Sequence, residues 1–258
     1  MNIWEVNNLK EIRQKNIIRL LDKSNFLKIS DVSRELNVTP MTIRRDINEL
    51  AEQGLVEKIH GGAKRKSSDD KYIELSHTEK KAINTESKKY AAKKAAELIE
   101  DNDTVFIGAG TTTELIYKYI TANNVKIITN SITIFNQFKN ETQHELILIG
   151  GTLREKTGTF VGYFTRKVIQ DIRVQKCFIG VNGIYGDFVT TADEEEGVVQ
   201  QIVIDNSYNR YIVSDSSKFG VEAFQVLYET KKLTAIITDN RIAKEYEDYY
   251  KDKCKIIN

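Results

Sequence analysis

Apolar residues recur with helical spacing in the first quarter of the chain, and in short strand-like runs over most of the remainder. Leu9, Ile12, Ile17, Leu20 and Leu21 predict an amphipathic helix over about residues 8–22, ending near Ser24 and Asn25. Val32 and Leu36, four apart, predict a second helix capped by Ser30. Asn37 and Val38 then make a brief turn into a third helix. Thr39 suits its N-cap, and Pro40, the only proline, suits the first helical position because it has no N–H to leave unpaired. Ile43, Ile47 and Leu50 follow at offsets of four and three, so they share one face that must pack on something apolar. After Gly54, Leu55, Val56 and Ile59 resume in extended style, and Gly61-Gly62 signals a hairpin turn. Three helices followed by a hairpin predict a winged helix-turn-helix over 1–64.

Residues 65–78 open with RKSSDDK, which has no apolar period, and are expected to be a linker. From Glu79 an alanine-rich helical stretch runs through Glu100. Apolar runs then alternate with helical ones at 104–107, 126–129, 145–149, 176–179, 210–213 and 235–238. Six strands separated by helices predict a mostly parallel sheet, and hence an α/β domain over 79–258.

The exposed side of the third helix suggests what the first domain touches. Met41, Thr42, Arg44, Arg45 and Asn48 point away from its buried stripe, so two guanidiniums, a hydroxyl and an amide are available for base edges and phosphates. Ser30 and Thr39 at the helix starts, and His60, Gly61, Gly62 and Lys64 at the wing tip, complete the candidate DNA-binding set. An arginine pair alone is usually solvated surface; its place between a cap, a buried stripe and a basic hairpin makes the signal specific. Charge adds a little. The whole chain has 38 basic and 37 acidic residues, but residues 1–66 hold 13 basic and 9 acidic, leaving 25 and 28 for the rest.

The strand ends of the second domain resemble one another. Gly108, Ala109, Gly110, Thr111, Thr112 and Thr113 follow the first strand and lead to Glu114 and Leu115 at an expected helix start. Glycines there allow close backbone approach, hydroxyls can donate, and a helix N-terminus favours an anion. Asn130 and Ser131 follow the second strand, Gly150 and Gly151 the third, and the turn from Gly180 to Gly183 the fourth. Lys218 follows the fifth and adds a point charge. Together they predict a small polar pocket suited to a phosphorylated molecule. The third glycine of a dinucleotide fingerprint is missing, as is a G-K-[ST] triplet, which argues against dinucleotides and nucleoside triphosphates.

Cys177 and Cys254 lack paired spacing and read as buried small hydrophobes, while the three histidines are spaced unlike ligands or a triad. No metal site, cofactor or catalytic residue is expected. The N-terminus lacks a signal-peptide core and no apolar run spans a membrane, so a cytoplasmic protein without membrane contact is expected.

The block TIRRDINELAEQGLVEKIHGGA resembles the N-terminal motif of DeoR-family bacterial transcriptional regulators, and the resemblance continues through ITNS, IGGTLR and SDSSKFG over nearly the whole chain. Within the family it is most similar to the branch containing lactose phosphotransferase repressors. The resemblance implies a second domain like ribose-5-phosphate isomerase in fold, which senses a phosphorylated sugar. It maps residues 108–113, Asn130, Ser131, Gly150, Gly151 and Lys218 onto the effector pocket, with Asp193 and Glu196 nearby. It implies a homodimer or homotetramer on double-stranded operator DNA, acting as a repressor released by its effector, and the branch suggests tagatose 6-phosphate. The competing expectation is a sugar-phosphate isomerase with an appended helical domain, using a carboxylate among residues 193–196 as base and Lys218 to stabilise an enolate. A DNA-reading domain has no place in that alternative. Gly197, where the family commonly has alanine, is expected to weaken the helix that holds Glu196.

Overall fold

The computed structural model of the chain describes residues 10–24, 26–53, 55–59, 61–65, 74–140 and 143–258. Its contacts divide the chain into two units, Met1–Lys71 and Tyr72–Asn258. Leu9, Asn25, Gly54, His60 and residues 66–73 of the expected linker lie outside the described residues.

In the first unit α1 spans Lys10–Ser24, α2 Ile29–Glu35 and α3 Pro40–Glu52. Strands β1 (Phe26–Lys28), β2 (Val56–Ile59) and β3 (Gly62–Arg65) form an antiparallel sheet with β3 in the middle. The wing therefore has a third strand that three residues were too few to announce. Gly62 makes this possible: a Cβ there would lie 2.0 Å from the Leu27 carbonyl oxygen. Thr39 caps α3 by accepting from the Thr42 N–H at 3.2 Å, with Pro40 at N1. Asn37 adopts a left-handed φ of 53° in the turn before it, a conformation asparagine tolerates better than most residues. Ile43, Ile47 and Leu50 are buried together with Ile17, Leu21, Val32 and Leu36, each contributing roughly 1.5–3 kcal/mol by burial.

Ser30 does not cap α2. Lys28 is the N-cap residue and makes no side-chain cap bond, while Ser30 Oγ faces Asp31 Oδ1 at 3.2 Å. The helix begins immediately after β1, so the backbone takes its helical turn one residue before the serine.

The second unit opens with α4 (His77–Ala82) and α5 (Thr85–Ala96), two helices where one continuous stretch was expected. Asn84, at φ 52°, breaks them. Its core is a sheet of seven parallel strands: β4 (Thr104–Ile107), β5 (Lys126–Thr129), β6 (Glu145–Leu148), β9 (Val174–Ile179), β12 (Ser207–Val213), β14 (Ala235–Ile237) and β15 (Ile256–Ile257). Their spatial order is β15-β14-β12-β9-β4-β5-β6. The chain lays β5 and β6 to one side of β4, then returns to build β9, β12, β14 and β15 on the other. The order reverses between β4 and β9, and open parallel sheets bind ligands at the carboxyl ends beside such a reversal.

Apolar side chains cover both sheet faces, one cluster including Phe106, Ile179 and Ile212, the other Val105, Ile107 and Phe178 with the alanines of α5. Two smaller sheets were not expected: the hairpin β7 (Thr152–Arg154) with β8 (Thr159–Val161), and the antiparallel set β10 (Gly183–Tyr185), β11 (Phe188–Thr191) and β13 (Gln225–Glu229). Further helices are α6 (Ile132–Phe138), α7 (Tyr163–Ile169), α8 (Glu194–Asp205) and α9 (Lys244–Tyr250).

The expected helix after Thr113 is a 3-10 segment of six residues, Thr113–Lys118, so the α-helical N-terminus invoked for an anion is not there. Gly197 is a packing residue: a Cβ there would stand 2.9 Å from Thr191 Cγ2. Cys177 and Cys254 are buried free thiols, both pushed up to about 11 chiefly by burial.

Candidate functional site

The first unit presents one face of α3 to solvent. Arg44, Arg45 and Asn48 are exposed, Met41 is 68% exposed, and neither arginine forms a salt bridge among the described residues. Thr39 and Thr42 sit at the start of this face with their hydroxyls 2.9 Å apart. Ser30 and Gly61 are exposed, Gly62 is buried at the crossing with β1, and Lys64 pairs with Glu57 at 3.0 Å. What holds α3 in place was not foreseen: Arg13 of α1 grips Asp46 through both Nε and Nη2, with Asp46 only 1% exposed. The bond to Asp46 raises the Arg13 pKa above its ordinary value against the opposing effect of burial. In the sequence Asp46 looks like one more polar residue beside the arginines. Only the approach of α1 reveals it as a buried anchor.

In the second unit a cleft of about 60 Å³ lies at the carboxyl ends of β4, β9 and β12, beside the strand-order reversal. Ala109, Gly110, Thr111 and Thr112 form one wall, the turn from Gly180 to Asn182 a second, and Ser214, Asp215 and Lys218 a third. Gly180 lets the first two walls meet, since a Cβ there would stand 3.0 Å from the Ala109 carbonyl oxygen. Gly108 and Thr113 serve the wall from beneath. Thr113 Oγ1 donates to the Gly108 and Gly110 carbonyls at 2.7 and 2.9 Å, so its hydroxyl shapes the turn and is not offered to a ligand.

Most of the cleft's basic side chains come from a stretch outside the strand ends. His77 and Lys80 of α4 and Lys88 of α5 line it together with Lys218. His77 Nε2 meets the buried Glu114 carboxylate at 2.5 Å. Lys88, 3% exposed, donates to the Lys80 carbonyl and, at 2.8 Å, to the Ile83 carbonyl. Burial draws its pKa down to about 8, with nearby Asp215 resisting. Lys218 is likewise lowered by burial, and its ammonium has no hydrogen bond or ion pair among the described residues. Asp215 takes Asn84 Nδ2 at 3.0 Å and Ser217 Oγ at 2.5 Å, tying the α4–α5 joint to the third wall. Ser214 Oγ and Gln200 Oε1, both on residues lining the cleft, are buried without a hydrogen-bond partner among the described residues. A charged wall plus unpaired polar atoms is an arrangement that a small anionic, hydroxylated ligand would complete.

Four expected pocket residues stand elsewhere. Asn130 donates to the Phe160 carbonyl at 2.8 Å and Ser131 caps α6 by accepting from Ile134 N–H. Thr165 fills the space beside Gly151, where a Cβ would meet Thr165 Oγ1 at 2.0 Å, and Gly150 does not line the cleft either. These residues follow β5 and β6, on the side of the sheet away from the reversal. Asp193 caps α8, accepting from Glu196 N–H at 3.1 Å, and takes Arg154 Nε at 3.0 Å. Glu196 does line the cleft, accepts from Thr157 Oγ1, and is raised above the usual carboxylate range by burial, against the pull of Thr157 and Arg154.

Among the described residues no helix is long and apolar enough to cross a membrane, and no group of three or more His, Cys, Asp or Glu could hold a metal ion.

Comparison with known proteins agrees across both units. Residues 13–69 match the DeoR-like helix-turn-helix domain and residues 83–240 the DeoR C terminal sensor domain. The chain is 38% identical over 237 residues to a lactose phosphotransferase system repressor of Staphylococcus epidermidis, covering 91% of this chain and 94% of that protein. It is 38% identical over 233 residues to the repressor of the same name from Streptococcus mutans, covering 89% and 92%. Among solved structures, ribose 5-phosphate isomerase A of Methanocaldococcus jannaschii overlaps 53% of this chain and 55% of its own, at 17% identity and a TM-score of 0.37, a partial likeness of backbone path. With both domains matched in order and named repressors aligned over nearly the full length, the chain belongs to the DeoR family of DNA-binding transcriptional regulators and is not an enzyme.

Proposed function

We propose that this regulator represses a sugar-utilisation operon and releases its operator when a phosphorylated sugar enters the cleft of the second unit. The observation that carries the reading is the set of cations at the strand-order reversal. Lys80, Lys88 and Lys218 border a cleft whose other walls offer threonine hydroxyls and backbone amides, the combination that recognises a phosphate attached to a polyol. The relatives' name supports the choice of a sugar-linked operon.

The DNA is met by Arg44, Arg45, Thr42, Asn48 and Met41 on α3, with the N-cap Thr39, Ser30, Lys64 and the Gly61–Gly62 turn placing the wing; His60 belongs to the same proposal. Two copies, as a dimer or within a tetramer, read two half-sites. In the cleft, Ala109, Gly110, Thr111, Thr112, Glu196 and Lys218 keep their proposed ligand roles, joined by His77, Lys80 and Lys88. Gly108 and Thr113 support the wall. Asn130, Ser131, Gly150, Gly151 and Asp193 are reassigned to holding the scaffold. A sugar phosphate can release DNA only by binding better to a conformation that fits the operator poorly.

Replacing Arg44 and Arg45 together by alanine tests the division of labour. Base or phosphate contacts of this kind are worth about 1–3 kcal/mol each, so operator affinity is expected to fall at least 30-fold while sugar-phosphate binding is unchanged. The companion Thr112→Asp, which places a like charge against an incoming phosphate, is expected to bind operator normally and ignore the sugar phosphate. Gel-shift and calorimetric titrations read both. Operator binding that survives the double substitution contradicts the proposal.

A further inference from the structure

The segment from Glu74 to Asn84 is attached to the sensor unit in an unusual way. Helix α4 buries none of its residues, and the apolar side chains flanking it, Leu75 and Ile83, are 39% and 40% exposed. Polar contacts hold it instead. Glu74, with 7% of its side chain exposed, takes Lys80 Nζ at 2.9 Å on one oxygen and Arg154 Nη2 at 2.6 Å on the other, with Lys156 at 3.4 Å. His77 N–H donates to the Lys156 carbonyl, and its ring meets Glu114. An element docked through ion pairs without an apolar anchor lies at the low-stability end of a fold, where switching elements are found.

Arg154 joins this dock to the cleft. Its guanidinium reaches Glu74 on one side and, on the other, Asp193 at 3.0 Å and the cleft-lining Glu196 at 3.3 Å. Glu74, Asp193 and Glu196 are thus balanced by Arg154, Lys80 and Lys156. Lys80 pairs with Glu74 and is also one of the residues lining the cleft. Burial and Arg154 act on Glu74 in opposite directions, and the cations win, holding its carboxyl down at about 2.

We propose that Glu74 and Arg154 are positioning residues that dock the segment entering the sensor unit, and that a bound phosphate undocks it by competing with Glu74 for Lys80. This rests on the reading of the cleft as a sugar-phosphate site. A dianion beside Lys80 offers that ammonium a stronger partner than one carboxylate oxygen. Glu74 then keeps Arg154 and Lys156, and α4 loses one of its few ties to the sensor unit. Because the coupling is reciprocal, whatever weakens the Glu74 tie must tighten the ligand and loosen the operator.

Glu74→Gln in the full-length protein makes the test, with tagatose 6-phosphate and inorganic phosphate as probes and operator DNA selected in vitro by the wild type. The expected result is a ligand affinity raised about five-fold or more and a ligand-free operator affinity lowered by a similar factor, the size of ordinary allosteric couplings. Glu74→Asp, which keeps the charge on a shorter arm, should fall between. If Glu74→Gln does not fold, Lys156→Met removes an outlying partner of the same carboxylate and should move both affinities less, in the same directions. Unchanged affinities, or losses of both, overturn the proposal. A wild type that takes neither probe nor any other phosphorylated sugar refutes the cleft reading, and the ligand-free operator affinities still decide whether Glu74 sets the docked state.

Discussion

Thr113 and Glu74 show what single residues reveal only in the folded chain. Three consecutive threonines after β4 look equivalent in sequence, yet Thr113 spends its hydroxyl on two carbonyls of its own turn while Thr111 and Thr112 line the cleft. Glu74 is an acid in a polar stretch with no period, and nothing local marks it as a partner of Arg154, eighty residues away. Its low pKa has a pH consequence. A carboxylate held below its unfolded value of about 4.3 contributes stability that is present above that value and lost as pH falls toward 2. The thermal midpoint of the wild type is therefore expected to exceed that of Glu74→Gln near pH 6 and to converge on it as pH drops from about 4.5 to 2. A gap that is constant across this range counts against the ion-pair account of Glu74.

Elements with a long apolar period were legible before folding. The stripe Ile43, Ile47, Leu50 and the cap Thr39-Pro40 locate α3, and the interior strands sit where their apolar runs lie, within a few residues. Elements of two or three residues, such as β1, β7 and β15, carry no period that could announce them. The break between α4 and α5 was hidden because Asn84 leaves its helical register by a left-handed φ rather than through a proline or glycine. The tie between α1 and α3 was hidden because it is a buried pair distant in sequence. Removing one member of such a pair costs about 3–5 kcal/mol by leaving the other charge uncompensated. Arg13→Met is thus expected to lower the stability of the winged-helix unit by that order and to weaken operator binding while ligand binding stays normal. Denaturant unfolding of the full chain, read alongside a sugar-phosphate titration, checks both parts. An unfolding midpoint unchanged from wild type rules out the tie as an anchor.

Across the whole molecule, the strand order decides which turns can share a ligand. Glycine, threonine and asparagine turns after β4, β5, β6 and β9 look alike in sequence, and the order β15-β14-β12-β9-β4-β5-β6 puts only those after β4 and β9, with the end of β12, beside one another. The turns after β5 and β6 lie away from that cleft because the chain crosses to the other side of β4 after building them. The family and the two-unit plan were legible from motifs that survive in order along the chain, whereas the cations of α4 and α5 were not, because their position over the sheet is a tertiary fact. We propose one chain in which α3 carries the arginines for DNA, the strand reversal carries the cations for a phosphate, and the Glu74–Arg154–Lys80 network links that cleft to the segment that begins at Glu74. Sugar phosphate and operator then compete for the docked state of that segment. The most direct measurement is operator affinity of the wild type at fixed salt, titrated with tagatose 6-phosphate and other phosphorylated sugars and, as controls, with the same sugars unphosphorylated. At least one sugar phosphate is expected to weaken operator binding about five-fold or more in a saturable manner, and its unphosphorylated counterpart to do nothing. An operator affinity indifferent to every phosphorylated sugar, or equally responsive to the free sugars, would contradict it.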